Sequence, residues 1–420
     1  VIGNPPYIQL QSMRGALDCL EGRYRTFEKT GDIYCMFYEL ATKIVRDKGW
    51  VCLITGNSWI RSNFGKSLRR YLARKVQVQQ VLDLSDNDIF ASATVLTSIV
   101  RFVKQSPEEG HRVAAVRFTR RQKDELKNLH QSFAEKKTEL AVPDDTPWII
   151  VSGEKQKILD KVASKGIALR DWDVEINYGI KTGYNEAFII DKATQDELIA
   201  EDENSAELIQ PLLRGRDVKR YAIDYQDLYL IGTFPSLKLD IEKYHAIRDY
   251  LKSFGKRLEQ SGEIGCRKKT SGQWFETQDT ISYHTSFTKP KIIYPNMVSH
   301  PSFMIDEGNY YLNDKCFILT GTLLYSLCAI LNSNLFRYCF EDRFPELQGN
   351  AREIKKFVLE SIPIVQVSAE KEKEFQILVD EIMEKKKQGF CTLESESEVD
   401  RLVYGLYGLT GDEVKIVEGE

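Results

Sequence analysis

Apolar and polar positions along the first hundred residues predict a layered α/β unit. Ile33, Phe37, Leu40, Ala41 and Ile44 recur at helical spacing behind Asp32, a side chain suited to an N-cap, and before Arg46, Lys48 and Gly49. Trp50 to Thr55 is a short continuous apolar run, the pattern of a strand buried on both faces. Phe64, Leu68, Tyr71 and Leu72 mark a second amphipathic helix, and Val76 to Leu84 another strand. Val1-Ile2, running into Gly3-Asn4-Pro5-Pro6, reads as a buried strand that ends in a rigid turn. Strand–helix–strand–helix–strand is the order of half a doubly wound parallel sheet. No helical pattern separates Leu84 from the apolar run Val95 to Val103, so that run is expected to pair antiparallel at the sheet edge. The polar stretch 8–31 is long enough for a flexible active-site loop.

Further along, Arg112 to Thr119 reads as a strand, followed by the basic run Arg120, Arg121, Lys123 and Lys127, whose plainest reading is a solvated face. Pro143 to Pro147 is a turn-rich boundary, and a helix is predicted over 153–164. From about residue 166 the pattern changes to more aromatics, shorter strands and less helix. Over 366–420, Phe375, Leu378, Val379 and Ile382 line one helix, and Val399, Leu402, Val403, Leu406 and Tyr407 line another. The expected division is therefore 1–120, a linker over 121–165, a second domain over 166–365, and a helical hairpin over 366–420.

Composition narrows the class. At 420 residues the chain has room for two or three cores, and 42% hydrophobic with 29% charged residues is ordinary for a globular protein. No apolar run reaches the roughly 18 residues of a membrane span, and no signal peptide opens the chain. Eight cysteines without CxxC spacing point to reduced core thiols in the cytoplasm. Five scattered histidines suggest no metal site. Residues 370–420 hold 14 acidic and 7 basic side chains, a net of −7 against −4 for the chain, so the remaining 369 residues carry +3. That balance is compatible with nucleic acid without requiring it.

The chemistry sits in Asn4-Pro5-Pro6-Tyr7. Each proline fixes its own φ and holds the preceding residue extended, so Asn4 and nearby carbonyls project from the strand end at set angles. Tyr7 adds a flat face beside those acceptors, a set suited to a planar, amine-bearing ligand. The bland reading is a strand-ending turn, since Asn and Pro favour turns. The tetrapeptide resembles the catalytic motif of DNA methyltransferases that act on the exocyclic amine of adenine. The segment from Ile89 through Lys104 resembles the family stretch in which an aromatic residue precedes the last strand. That resemblance implies that Phe90 stacks on the target base opposite Tyr7; the alternative is an ordinary core residue.

Three later stretches interleave basic and aromatic side chains. They are Tyr178 to Phe188, containing Lys181, Thr182 and Asn185; Leu212 to Tyr221, containing Arg214, Arg216, Lys219 and Arg220; and Arg267 to Phe275, containing Lys268 and Trp274. Such interleaving is a modest nucleic-acid signal. In this order they resemble the TaqI-like specificity domain of type IIG restriction–modification enzymes, and Leu327 to Ile364 resembles its closing helices. The resemblance implies an α/β fold, with a partial Rossmann-like methyltransferase sheet, an α+β specificity domain and C-terminal helices. It further implies double-stranded DNA as partner and S-adenosylmethionine as methyl donor. The 26 glycines contain no Gly-x-Gly, so the cofactor turn is expected upstream of Val1, in a longer parent, and this chain alone is expected to bind no cofactor. A specificity module without catalysis and a protein methyltransferase are the competing classes. No carboxylate–lysine cluster suggests a nuclease.

Overall fold

The computed structural model describes residues 1–13, 17–84, 96–118, 126–141, 147–151, 153–344 and 351–419. The chain forms two units, Val1–Asp160 and Lys161–Glu420.

The main elements of the first unit are β1 (Ile2–Gly3), α1 (Tyr34–Ile44), β2 (Trp50–Gly56), α2 (Lys66–Lys75), β3 (Gln77–Asp83), β4 (Thr97–Val103), β5 (Arg112–Arg117), α3 (Leu129–Lys136) and β6 (Thr138–Ala141). α4 (Gly153–Lys165) spans the sequence boundary between the units. The sheet order is β1-β2-β4-β3-β5-β6. β1 with β2 and β3 with β5 are parallel, whereas β4 is antiparallel to both its neighbours. The run expected at the sheet edge is thus antiparallel but interior. Val100 and Phe102 are fully buried, and both backbone edges of β4 are hydrogen-bonded, an arrangement an apolar run suits well. An edge falls instead to β6, within the span expected as a linker.

α1 packs on β2, α2 on β3, and the two helices on each other. Val51 and Leu53 are buried while Cys52 and Ile54 are only half-buried, so β2 is fully covered on one face rather than two. The core gathers Tyr38, Trp59, Leu68, Leu72, Val81, Phe102 and Trp148. α1 is shorter than the span expected from Asp32 to Gly49, because Val45 is extended and Lys48 takes a φ of 59°. The stretch 8–31 is closed at its base: Leu10 N–H donates to the Gly31 carbonyl and Ile33 N–H to the Ile8 carbonyl, at 2.9 and 3.0 Å. The buried Glu39 carboxylate accepts from the backbone N–H groups of Arg25 and Thr26.

The second unit contains β7 (Val174–Tyr178), β8 (Ile189–Asp191), α5 (Lys192–Glu201), β9 (Ile209–Leu213), β10 (Leu228–Ile231), α6 (His245–Lys252), β11 (Lys291–Pro295), β12 (Met304–Asp306), β13 (Tyr311–Leu312) and β14 (Cys316–Gly321). They form two four-stranded sheets, β13-β9-β10-β8 and β12-β11-β14-β7. α7 (Leu324–Asn332) and α8 (Asn334–Phe340) follow. The C-terminal segment holds three helices where a hairpin was expected: α9 (Ala369–Lys387), α10 (Leu393–Tyr407) and α11 (Gly411–Glu418). Gly408 ends α10 at a φ of 64°, and Thr410 with Glu413 builds a capping box that starts α11. α9 and α10 pack on α7, and Asp400 of α10 accepts from the backbone and side-chain amides of Asn334 at 2.7 and 2.9 Å. All eight cysteines are free thiols. Among the described residues no helix is long and apolar enough to cross a membrane, and no cluster of metal-ligating side chains occurs.

Candidate functional site

Ile2 lies opposite Cys52 and Gly3 opposite Leu53 in the parallel β1–β2 pair. Asn4 therefore leaves the sheet at its carboxyl end, the edge where open α/β sheets bind ligands. Pro5 is buried, while Asn4 and Pro6 are exposed. The chain then brings Tyr7 back to Asn4: its hydroxyl donates to Asn4 Oδ1 at 2.9 Å, with the Ile54 carbonyl further off at 3.4 Å. Its ring stands edge-on to Tyr34, centroids 6.1 Å apart at 67°. Burial raises the Tyr7 hydroxyl above its ordinary pKa, so it remains a donor at neutral pH. Among the described residues Asn4 Oδ1 is held by this bond, and a carbonyl oxygen has a second lone pair that can meet an incoming N–H.

Sequence reasoning missed the other half of this edge. Asp83, at the end of β3 and fully buried, accepts from Asn57 Nδ2 at 2.8 Å and Arg61 Nη2 at 3.0 Å, with Arg117 Nε at 3.9 Å. A carboxylate withdrawn from water persists only when paired in this way. The cluster ties together the ends of β2, β3 and β5. Its signal was a charged residue inside the apolar run Val76 to Leu84, where a carboxylate has no packing role. Leu84 N–H donates to the Thr97 carbonyl and Asn57 N–H to the Leu96 carbonyl, at 2.9 and 3.0 Å. The chain thus leaves and re-enters the sheet at this same edge. Phe90, expected opposite Tyr7, lies outside the described residues, as do Arg120, Arg121 and Lys123.

In the second unit, two of the three basic–aromatic stretches meet. Arg267, missed as an organiser, is buried and donates five hydrogen bonds to four backbone carbonyls, those of Leu258, Thr182, Glu276 and Trp274, at 2.7–3.0 Å. Burial lowers its pKa to about 10, so it remains a cation. It joins the loop carrying Lys181, Thr182 and Asn185 to the loops carrying Lys268 and Trp274. Thr182 is buried, and its hydroxyl donates to Asn185 Oδ1 at 2.7 Å, which orients an exposed amide. Gly183 at a φ of 82° makes this turn, and a Cβ there would meet Gln278 and Arg267. Lys181 and Lys268 are exposed and Trp274 is half-buried. Both lysines act on Asp279, whose pKa burial raises and their charges lower.

The third stretch divides. Arg214 makes a bidentate pair with the buried Asp217, at 2.9 Å on each arm, and Arg220 pairs with Glu396 of α10 at 3.0 Å. Arg216 and Lys219 are exposed.

Comparison with known proteins fits this geometry. Residues 1–90 match the family described as Eco57I restriction-modification methylase, and residues 210–364 match the TaqI-like C-terminal specificity domain. One chain thus carries, in order, a segment similar to restriction–modification methylases and a segment similar to the TaqI-like specificity domain. Its relatives include the type II methyltransferase M.BstVI of Geobacillus stearothermophilus, 23% identical over all of this chain and 74% of that protein. Another is the type II methyltransferase M.PaeR7I of Pseudomonas aeruginosa, 22% identical over all of this chain and 72% of its own length. Among solved structures, the type IIL restriction–modification enzyme MmeI in complex with DNA aligns over the whole chain with a TM-score of 0.54 at 11% identity, which marks a shared fold. This chain spans 56% of that protein.

Proposed function

We propose that this chain carries the base-accepting edge and the DNA-recognising part of a site-specific, adenine-N6 DNA methyltransferase in a type II restriction–modification system. The observation that carries the proposal is Asn4-Pro5-Pro6-Tyr7 at the carboxyl end of β1, with the Tyr7 hydroxyl fixed on Asn4 Oδ1, in a segment that matches a methylase family.

The adenine amine is a weak nucleophile because its lone pair is delocalised into the ring, and inside a duplex it is out of reach. Flipping the base out costs a few kcal/mol and calls for a pocket that stacks it. Tyr7 would form one wall and Phe90 the other. Asn4 Oδ1 and the Pro5 carbonyl would accept hydrogen bonds from the amine and draw its lone pair out of the ring. Acceptors already fixed by the prolines and Tyr7 favour the charge that develops on nitrogen without having to reorganise. S-adenosylmethionine is the methyl donor of this reaction class. The sequence holds no Gly-x-Gly turn to cradle it, and the residues named here would serve the acceptor side of the reaction.

Lys181, Asn185, Arg216, Lys219, Lys268 and Trp274 would face the duplex, with Thr182 acting through Asn185. Arg214 and Arg220 would hold the domain together through Asp217 and Glu396. A second reading, a specificity module that takes no part in methyl transfer, is favoured by the missing Gly-x-Gly. Incubating the full-length protein with duplex DNA and isotopically labelled S-adenosylmethionine, then identifying the labelled nucleosides by mass spectrometry, tests the reading. Labelled N6-methyladenine is expected; label in a methylated cytosine, or in none, would overturn it.

A further inference from the structure

Ile264 is 98% exposed, the most exposed large apolar side chain among the described residues. A lone exposed apolar residue is unremarkable on most surfaces, but the setting of this one is specific. It stands at the apex of the turn Ser261-Gly262-Glu263-Ile264-Gly265-Cys266, in which Gly262 and Gly265 take φ values of 78° and 86°. Side chains rarely adopt those values, so the glycines define the tip.

The turn is braced from below. Gly262 N–H donates to the Arg267 carbonyl at 3.0 Å, Cys266 N–H to the Glu263 carbonyl at 3.0 Å, and Arg267 N–H to the Glu259 carbonyl at 2.8 Å. Arg267 itself is the buried cation that gathers the Thr182, Leu258, Trp274 and Glu276 carbonyls. The tip therefore projects from the same framework that holds Lys181, Asn185, Lys268 and Trp274.

Cations flank it along the chain. Lys256, Arg257, Lys268 and Lys269 are exposed on the segments that lead into and out of the turn. Two carboxylates share those segments: Glu263 is paired with Lys256 at 3.5 Å, and Glu259 accepts from Cys266 Sγ at 3.8 Å. A projecting aliphatic group on a rigid stem, flanked by cations, has the form of the wedges that enter a groove between base steps while neighbouring side chains neutralise phosphates.

We infer that Ile264 is an apolar wedge that inserts into the DNA duplex bound by the second unit, unstacking a base step and bending the helix. The inference rests on the second unit facing DNA, as proposed above. Its energetic signature differs from that of a phosphate contact. Burying the side chain adds affinity that does not depend on counterion release, so its removal leaves the salt dependence alone.

The test uses the full-length protein and a duplex that the wild type selects from a random library. Affinity is measured over a salt series, and bending by energy transfer between dyes on the duplex ends, for wild type, Ile264→Ala, Ile264→Phe and Lys268→Ala. Because Ile264 is exposed, its variants should unfold at the wild-type midpoint. Ile264→Ala should bind about tenfold more weakly with an unchanged slope of log affinity against log salt and a straighter duplex. Ile264→Phe should retain affinity and bend. Lys268→Ala should weaken binding with the slope reduced by about one. Wild-type affinity and bending in Ile264→Ala would overturn the wedge while leaving a DNA-facing second unit in place. A wild-type protein that selects no duplex would overturn both.

Discussion

Tyr7 supplies two separable things at the end of β1, a hydroxyl that orients Asn4 and a ring face. Tyr7→Phe keeps the face and removes the donor. A neutral hydrogen bond of about 0.5–1.5 kcal/mol then translates into a roughly two- to tenfold slower methyl transfer in single-turnover assays, with DNA affinity unchanged. Weaker DNA binding at an unchanged rate would instead place the hydroxyl in binding. The rigid turn that sets Tyr7 beside Asn4 was legible in the sequence because two consecutive prolines restrict the local backbone so strongly. Asp83, Asn57 and Arg61 were not, because they meet between the ends of β2 and β3, strands that β4 separates in the sheet. Arg267 read as one cation in a basic run, yet it is the buried hub of its domain. Charge alone does not separate a solvated arginine from one that binds four carbonyls.

Among elements, α1, α2 and β2 to β5 followed from apolar spacing, whereas α3 and β6 fell in the span expected as a linker. Val1 and Ile2 are exposed where a buried strand was expected, and the order in the sheet did not follow from spacing. β4 lies between β2 and β3, but an apolar run reads the same in the interior as at an edge, and only pairing decides. The C-terminal segment likewise resolves into three helices because Gly408 and the Thr410–Glu413 box divide what spacing alone left continuous. α10 offers a pH test. Burial raises the Asp400 carboxyl to about 6, opposed by the Asn334 N–H bond and the Arg220 charge. Its folded value lies above the ordinary aspartate value of 3.8, so the folded state holds this proton more tightly. The group therefore favours folding increasingly as pH falls through 6 toward 3.8. The stability difference between wild type and Asp400→Asn, from urea midpoints, should change between about pH 4 and 6 and stay flat above pH 7. A difference constant over the whole range would contradict a raised pKa.

For the whole molecule, a net charge of −4 conceals its distribution. The acidic surplus lies in the C-terminal helices, and Lys181, Arg216, Lys219 and Lys268 are exposed on the second unit. DNA affinity should fall steeply with salt, with Lys181→Ala and Arg216→Ala each lowering the slope by about one; a flat salt dependence in the wild type would remove DNA from this surface. The broad class was legible from one tetrapeptide and three basic–aromatic stretches. Which cations are free for DNA was not, since Arg214 and Arg220 differ from their neighbours only in having Asp217 and Glu396 within reach. In the proposed function two tasks are separate, amine activation at the end of β1 and DNA recognition in the second unit. The measurement that tests it most directly compares Asn4→Ala with wild type in the full-length protein, for methyl transfer and for specific DNA binding side by side. Loss of kcat by a hundredfold or more at nearly unchanged DNA affinity is the predicted result, because the lost acceptor matters in the transition state. Near-normal methylation by Asn4→Ala would contradict the account.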